Sequence, residues 1–146
     1  MIEGQETKVM SVRDAIIEAM SEEMRRDENV FLMGEDVGVY GGDFGTSVGM
    51  LEEFGSERVR DTPISENAIS GCAVGAALTG MRPIVDVTFM DFVVYMMDNI
   101  VNQAAKTRYM YGGKGSVPVV FRCAAGSGLG SAAQHSQSLE SWFCHI

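Results

Sequence analysis

The chain has 146 residues, 46% of them apolar and 21% charged, a composition typical of one globular domain. Twenty Asp and Glu residues against eleven Lys and Arg give a net charge of −9, which disfavours nucleic acid and anionic membranes as partners. No apolar run approaches the roughly 18–20 residues that a membrane-spanning helix needs. The first residues lack the charged and apolar regions of a secretory signal. We therefore expect a cytoplasmic protein that binds neither nucleic acid nor membrane.

The first half of the chain predicts a helix, a strand and a long loop. Apolar residues from Ser11 to Arg26 recur with helical spacing, with Ser11 as the N-cap and Asp14 in the first turn. The short apolar run 30–33 is typical of a strand buried on both faces. A glycine-rich loop follows over residues 34–49, and a short helix is expected up to Phe54.

The middle of the chain predicts two further strands separated by a helix. Residues 57–60 predict a weak second strand. Residues 66–80 are rich in Ala and Gly, small residues that allow a helix to lie close to a sheet. Residues 83–89 are rich in β-branched side chains and predict a third strand.

The last third predicts a long apolar helix and a final strand. Asp91 is the expected N-cap of a helix from Phe92 to about Met110. Its first half is apolar on nearly every side, which indicates burial at a subunit or domain interface. A strand is expected at 117–121, then a glycine-containing loop, then a helix within 136–145.

Short apolar strands therefore alternate with helices, and no tight hairpin signal such as Asn-Gly is present. This pattern predicts an α/β fold with three layers, α/β/α, around a mostly parallel sheet. We expect residues 1–10 to form a tail and residues 11–146 to form the domain. Because the sequence stops within an element, we expect the chain to be truncated.

Cysteines and glycines indicate no metal or phosphate site. Cys72, Cys123 and Cys144 are too scattered for a disulfide scaffold or a metal clip, so we expect three buried thiols and no metal ligands. The glycines of residues 126–130 lack the spacing of a dinucleotide-binding fingerprint, and no Walker motif is present. If the protein handles a phosphorylated cofactor, another chain is expected to hold the phosphate.

Several side chains at strand ends have both a structural and a chemical interpretation. Glu66 opens a helix and can simply complement the helix dipole. Glu35 and Asp36 follow the first strand, at the edge where α/β proteins bind ligands, although such a pair is often only solvated. His135 follows the last strand among small polar residues and can be a hydrogen-bonded loop histidine. Phe92 can be a core aromatic residue.

Several motifs in order resemble one known family. They are RDENVFLMGEDVG (26–38), DTPISE (61–66), GAALTGMRPIVD (75–86), NQAAKTRYMYGGK (102–114) and AAQHSQSLESWF (132–143). The chain resembles the β subunit of the thiamine-diphosphate-dependent first component of pyruvate, branched-chain and acetoin dehydrogenases. The resemblance covers the N-terminal, transketolase-like pyrimidine-binding domain, and it implies that a C-terminal domain is missing here.

The resemblance implies roles for five residues. Glu66, the glutamate of the ISE motif, would share a proton with the cofactor's aminopyrimidine and promote ylid formation, helped by burial that disfavours its ionised form. Ile64 would contact the aminopyrimidine, and Phe92 would pack on its ring. Glu35 would join the proton network of Glu66. His135 would face the reacting carbon and transfer protons, or orient intermediates during transfer to lipoamide.

The resemblance also implies an assembly and a reaction. Decarboxylation or C–C cleavage of a 2-oxo acid or acetoin would precede acyl transfer to the lipoyl-bearing acyltransferase core. The partners would be an α subunit, which binds the diphosphate and magnesium, and a second β subunit in a heterotetramer, so the chain alone is expected to be inactive. Asp91 before Phe92 is similar to acetoin-type members, whereas several pyruvate-type members carry Asn there.

Two alternatives remain at this stage. The chain could be a non-catalytic interaction module that docks a partner through its apolar helix. It could also be a flavodoxin-like nucleotide-binding domain, for which the sequence gives little support.

Overall fold

A computed structural model describes residues 8–146; the expected tail 1–10 thus lies largely outside the described residues. The regular helices are α1 (Val12–Arg26), α2 (Met50–Phe54), α3 (Glu66–Leu78) and α4 (Ala105–Met110). The strands are β1 (Val30–Gly34), β2 (Val59–Asp61), β3 (Arg82–Phe89) and β4 (Val120–Ala124). Other helical segments are the 3-10 turns Met90–Met96, Ala133–His135 and Glu140–His145 and the π-helix Asp98–Ala104.

The four strands form one parallel sheet in the order β2-β1-β3-β4. In its centre, Gly34 pairs with Asp61 on one side and with Asp86 on the other, and Asp86 in turn pairs with Arg122. Because all the strands run in the same direction, their carboxyl ends meet at a single edge. The connection after β1 leads to β2 on one side of the sheet, and the connection after β3 leads to β4 on the other side. Open α/β sheets bind ligands at the point between two such strands, which here are β1 and β3.

Two apolar clusters cover the two faces of the sheet. Leu32 belongs to the cluster under α1 and α2, whereas Phe31 and Met33 belong to the cluster under α3 and the segment 90–104. This alternation follows from the two-residue period of a strand, and it leaves every residue of β1 buried. The predicted three-layer α/β/α architecture is therefore confirmed.

Two strands begin later than the sequence predicts. β2 begins at Val59 because residues 55–58 form a turn, in which the Arg58 N–H donates to the Gly55 carbonyl at 3.1 Å. β4 begins at Val120 rather than at residue 117, after Pro118, which has no N–H to donate to a neighbouring strand.

The apolar stretch after β3 differs most from its prediction. Instead of one helix from Phe92 to Met110, the chain follows the 3-10 turn, then the π-helix, then α4. The prediction that Asp91 is the N-cap is wrong, because Asp91 lies inside the 3-10 turn and its carboxylate accepts hydrogen bonds from the loop around Gln137. Val94 and Tyr95 are exposed in this chain alone, so the predicted burial of the stretch at a subunit or domain interface stays a prediction.

The prediction of three buried thiols is wrong for two of them. Cys123 is half-buried in β4, but Cys72 and Cys144 are exposed. Cys72 lies on α3 between residues that do face the sheet, Ile69 and Ala73, so its own side chain points away from the core. Among residues 8–146, no helix combines the length and apolar character needed to cross a bilayer.

A buried ion pair joins the sheet to the glycine-rich loop. Arg122 on β4 pairs with Asp86 on β3, and its Nη2 also donates to Thr46 Oγ1 at 2.6 Å. The Thr46 hydroxyl donates to Asp86 Oδ2 at 3.2 Å. Thr46 lies in the loop between β1 and α2. The network therefore holds this loop against β3 and β4.

Removing one member of this network is expected to destabilise the fold. Arg122→Met should lower the free energy of unfolding by about 3–5 kcal/mol, because it leaves the buried Asp86 carboxylate without its cation. Replacing both members, Asp86→Val with Arg122→Met, should recover most of that loss. Urea unfolding measures both values, with Arg108→Met on the exposed surface as a control within about 0.5 kcal/mol. Equal losses in the single and double variants would contradict the buried-pair interpretation.

Candidate functional site

The residues singled out from the sequence all lie at the carboxyl edge of the sheet. Glu35 directly follows β1, and Glu66 is the first residue of α3, after β2 and the connection that carries Ile64. Phe92 follows β3 in the 3-10 turn, and His135 lies in the loop after β4. The parallel topology therefore places four separate segments of the chain at one edge.

The exit of β1 is tightly constrained. A Cβ at Gly34 would lie 2.7 Å from the Asp86 carbonyl oxygen and 3.1 Å from Val37, so only glycine fits before Glu35. The next residue, Asp36, has a φ of 53°, and its carbonyl accepts a hydrogen bond from Gly42 at 2.8 Å. The chain thus turns sharply at Glu35, which holds this side chain at the sheet edge while Asp36 faces solvent.

Glu35 and Glu66 form an electrostatically coupled pair. Partial burial raises the pKa of Glu35, and the negative charge of Glu66 raises it further, followed by smaller effects of Asp43 and Asp36. Glu35 therefore retains a proton to higher pH than an ordinary glutamate does. Glu66 is half-buried rather than fully buried as expected.

The first turn of α3 is held by a polar contact that sequence reasoning missed. Asn99 Nδ2, in the π-helix, lies 2.8 Å from Asn67 Oδ1 and 2.9 Å from Ser70 Oγ. Ser70 Oγ also donates to the Glu66 carbonyl at 2.8 Å. The signal in the sequence was weak: an asparagine inside an apolar stretch. π-helical turns are often found at functional sites, and this one fixes the turn that begins with Glu66.

Four rings form an aromatic cluster at the carboxyl edge of the sheet. The His135 imidazole lies edge-to-face against Phe89 (centroids 4.9 Å apart) and Phe92 (5.2 Å). Phe89 also contacts Phe92 at 5.6 Å and Phe44 at 5.5 Å. Edge-to-face contacts of this kind stabilise the relative orientation of the rings. Phe44 and Phe89 were not predicted; an aromatic residue within a glycine-rich loop was the available signal for Phe44.

One predicted site residue stands apart from this cluster. The side chain of Ile64 is 82% exposed, in the connection between β2 and α3. Ile64 lies only two residues before Glu66 in the chain, but its side chain does not pack against the aromatic rings. A cavity of about 150 Å³ is lined by Phe44, Phe89 and residues of the segment 124–129.

The arrangement is suited to binding a flat, protonatable heterocycle. Two carboxyl groups, one of which has a raised pKa, can share a proton with a ring nitrogen. The Phe92 ring can contact an aromatic face, and His135 can donate or accept a proton nearby. Among residues 8–146, no group of three or more His, Cys, Asp or Glu side chains is placed to hold a metal ion.

Comparison with known proteins agrees with this geometry. The family model described as "Transketolase, pyrimidine binding domain" matches residues 8–146. The chain is 49% identical over 143 residues to the beta subunit of the pyruvate dehydrogenase E1 component of Rhizobium meliloti (strain 1021), covering 98% of this chain and 31% of that protein. It is 48% identical over 136 residues to the human mitochondrial beta subunit of the same name, covering 93% of this chain and 38% of that protein.

A relative with a different named substrate is equally similar. The beta subunit of acetoin:2,6-dichlorophenolindophenol oxidoreductase of Bacillus subtilis (strain 168) is 48% identical over 151 residues, covering 95% of this chain and 44% of that protein. The chain thus spans less than half the length of each of these relatives. The match over almost the whole chain, together with the parallel α/β fold, shows that the chain belongs to the transketolase pyrimidine-binding domain family.

Proposed function

We propose that this chain is the pyrimidine-binding domain of the β subunit of a thiamine-diphosphate-dependent first component, an oxidoreductase acting on a 2-oxo acid or acetoin. The observation that carries the proposal is the placement of Glu35 and Glu66 at the carboxyl edge, where partial burial and then the negative charge of Glu66 raise the pKa of Glu35. A carboxyl group with a raised pKa retains its proton to higher pH than an ordinary glutamate does. The identities to the pyruvate and acetoin relatives support the same assignment.

The residues at the edge fit the aminopyrimidine half of thiamine diphosphate. Glu66 would hydrogen-bond the ring nitrogen and move a proton to and from it, and Glu35 would be the second group in that proton network. Phe92 would pack on the heterocycle, and the exposed Ile64 side chain would contact it. When bound, thiamine diphosphate supplies a nucleophilic carbon and an electron sink for cleaving the bond next to the carbonyl.

His135 is the second catalytic residue of the proposal. Its ring is fixed by edge-to-face contacts with Phe89 and Phe92, so its nitrogens are held beside the surface that would receive the cofactor. There it would transfer a proton to or from the substrate, or orient the acyl group during its transfer to lipoamide on the acyltransferase core.

The remaining parts of the site would come from other chains. The net charge of −9 and the absence of a phosphate motif in the sequence favour binding of the diphosphate and magnesium by an α subunit. A second β subunit would complete a heterotetramer. Asp91 before Phe92 is similar to acetoin-type members, which favours acetoin modestly over pyruvate and branched-chain 2-oxo acids.

A non-catalytic docking module explains the site less well. A glutamate with a raised pKa costs folding stability at neutral pH, because its ionised form is disfavoured in the folded state. Groups with shifted pKa values that reduce stability are typical of active sites, whereas a surface that only docks a partner does not require them. A flavodoxin-like nucleotide-binding domain would lack any need for the Glu35–Glu66 pair.

Glu66→Gln should reduce turnover strongly without preventing assembly. The amide keeps the size of the side chain but cannot exchange a proton with the cofactor, so kcat should fall by about 100- to 10,000-fold. Turnover is measured with an artificial electron acceptor in the assembled complex, and assembly by size-exclusion chromatography.

The matched control is Glu52→Gln, the same change on the exposed surface of α2. It should leave turnover unchanged within about twofold, as is usual for surface substitutions. Unchanged turnover in the Glu66 variant would contradict the proposed role.

Glu35→Gln should change stability in a pH-dependent way. The folded-state pKa of Glu35 is raised, so the folded chain binds more protons than the unfolded chain between the ordinary value of 4.5 and the raised value. Stability is therefore lost as the pH rises through that interval. The Gln variant removes this loss and should be more stable than wild type at pH 7, with the difference vanishing below pH 4.5.

Urea unfolding at a series of pH values measures this difference. Glu28→Gln, on an exposed turn, is the control and should stay within about 0.5 kcal/mol of wild type at each pH. A Glu35 variant that is less stable at pH 7 than wild type would contradict the analysis.

The proposed sharing of the cofactor site predicts weak binding by one subunit alone. Isothermal titration of the β subunit with thiamine diphosphate and magnesium should give no tight binding, because the groups for the diphosphate are expected on the α subunit. Micromolar affinity of the β subunit alone would contradict a shared site.

A further inference from the structure

Asp91 is a buried carboxylate that the proposed reaction does not use. Its residue is 6% exposed, in the first turn of the 3-10 helix that follows β3. Aspartate is rarely buried unless its oxygens are satisfied by strong donors. The partners of Asp91 therefore indicate what this side chain does.

Those partners lie in the loop that carries His135. Oδ1 accepts from the Ser136 N–H at 3.3 Å and from Gln137 Nε2 at 2.8 Å. The Gln137 N–H lies 3.3 Å from both carboxylate oxygens. One carboxylate thus binds the two residues that directly follow His135 in the chain.

The same contact brings together two residues of the proposed site. Phe92 directly follows Asp91, His135 directly precedes Ser136, and the two rings are 5.2 Å apart. Asp91 therefore joins the 3-10 turn to the loop at the point where the rings meet. Burial alone would raise the pKa of Asp91, but the hydrogen bonds from Gln137 and Ser136 outweigh it and hold that pKa below its ordinary value.

Besides Asp91, the loop is held by the ring contacts of His135 with Phe89 and Phe92 and by a hydrogen bond from the Gly126 N–H to the Gln137 carbonyl, at 3.1 Å. It enters through Ala132, a non-glycine residue with a φ of 66°, which is an unfavourable backbone conformation. The His135 N–H makes only a long bond, 3.3 Å, to the Ala132 carbonyl. The hydrogen bonds of Asp91 are polar contacts that join this loop to the 3-10 turn.

We propose that Asp91 is a positioning residue, which holds His135 against Phe92 and beside the cofactor surface by binding the backbone of Ser136 and Gln137. The proposal rests on the role proposed above for His135. It predicts that losing the carboxylate impairs the chemical step through His135 while the substrate still binds.

Kinetics of the complete β subunit, assembled with its α subunit, test this proposal. Asp91→Ala should lower kcat by about 10- to 100-fold, the effect expected of a displacement near 1 Å, with KM changed less than about threefold. Asp91→Asn retains one acceptor oxygen in the same place and should restore kcat to within about threefold of wild type. Asp14→Ala, a first-turn aspartate on exposed α1, is the control and should leave kcat unchanged.

Amide hydrogen exchange provides a readout that does not depend on activity. Exchange at Ser136 and Gln137 should be at least about tenfold faster in Asp91→Ala than in wild type, and close to wild type in Asp91→Asn. If Asp91→Ala does not assemble, Gln137→Ala removes only an exposed donor and should accelerate exchange at the same amides. Unchanged exchange at both amides in the variant tested would overturn the proposal.

His135→Ala in the same assembly distinguishes failure of the positioning role of Asp91 from failure of the proposed function. A large loss of kcat in His135→Ala with wild-type kcat in Asp91→Ala would overturn the positioning role and leave the proposed function standing. Wild-type kcat in both His135→Ala and Glu66→Gln would instead overturn the proposed function. Equal losses of kcat in Asp91→Ala and Asp91→Asn, with native exchange, would also overturn the proposal, because the retained oxygen should rescue positioning.

Discussion

Asp86 is the point at which three strands and the glycine-rich loop meet. Its backbone pairs with Gly34 on β1, and its carbonyl oxygen leaves no room for a side chain there. Its carboxylate is held by Arg122 from β4 and by Thr46 from the loop. Because an unpaired carboxylate at this depth would be costly, the ion pair and the Thr46 contact stabilise the arrangement of β3, β4 and the glycine-rich loop at the carboxyl edge.

The consequences for the site follow along the chain from this point. Glu35 directly follows Gly34, so the close approach of β1 and β3 determines where its carboxyl group leaves the sheet. Phe44 lies two residues before Thr46 and contacts Phe89, which in turn contacts His135. The buried ion pair and the proposed catalytic histidine are therefore linked by two ring contacts. In this way one electrostatic network orders side chains that are distant in sequence.

Local patterns were sufficient for most of the fold. Ser11 caps α1 as predicted, with its hydroxyl accepting from the Asp14 N–H, because capping involves residues only three positions apart. The buried strand β1 was predicted because a strand covered on both faces needs apolar residues throughout. Placing Glu35 at the carboxyl edge required only the position of this residue directly after a strand, whereas its association with Glu66 was implied by the family resemblance. These features depend on local chemistry or on topology.

The features that were missed depend on contacts between distant segments. Asp91 has the appearance of a helix cap, and only the arrival of residues 136–137 makes it an acceptor for another loop. Asn99 is likewise explained by α3, more than twenty residues earlier in the chain. The exposure of Cys72 depends on which face of α3 meets the sheet, which a helix with small residues on all sides does not reveal. No short-range pattern encodes such pairings.

Two acidic residues at the same edge illustrate how environment divides chemical roles. Glu35 is partly buried and faces other carboxylates, so its pKa is raised. Asp91 is buried, but the hydrogen bonds from the His135 loop outweigh the effect of burial and lower its pKa. A carboxyl group with a raised pKa is suited to proton transfer, whereas one whose oxygens accept several hydrogen bonds can anchor a backbone segment. A carboxyl group can thus be suited to proton transfer at Glu35 and to positioning at Asp91. The difference arises because the fold places other carboxylates near Glu35 and hydrogen-bond donors near Asp91.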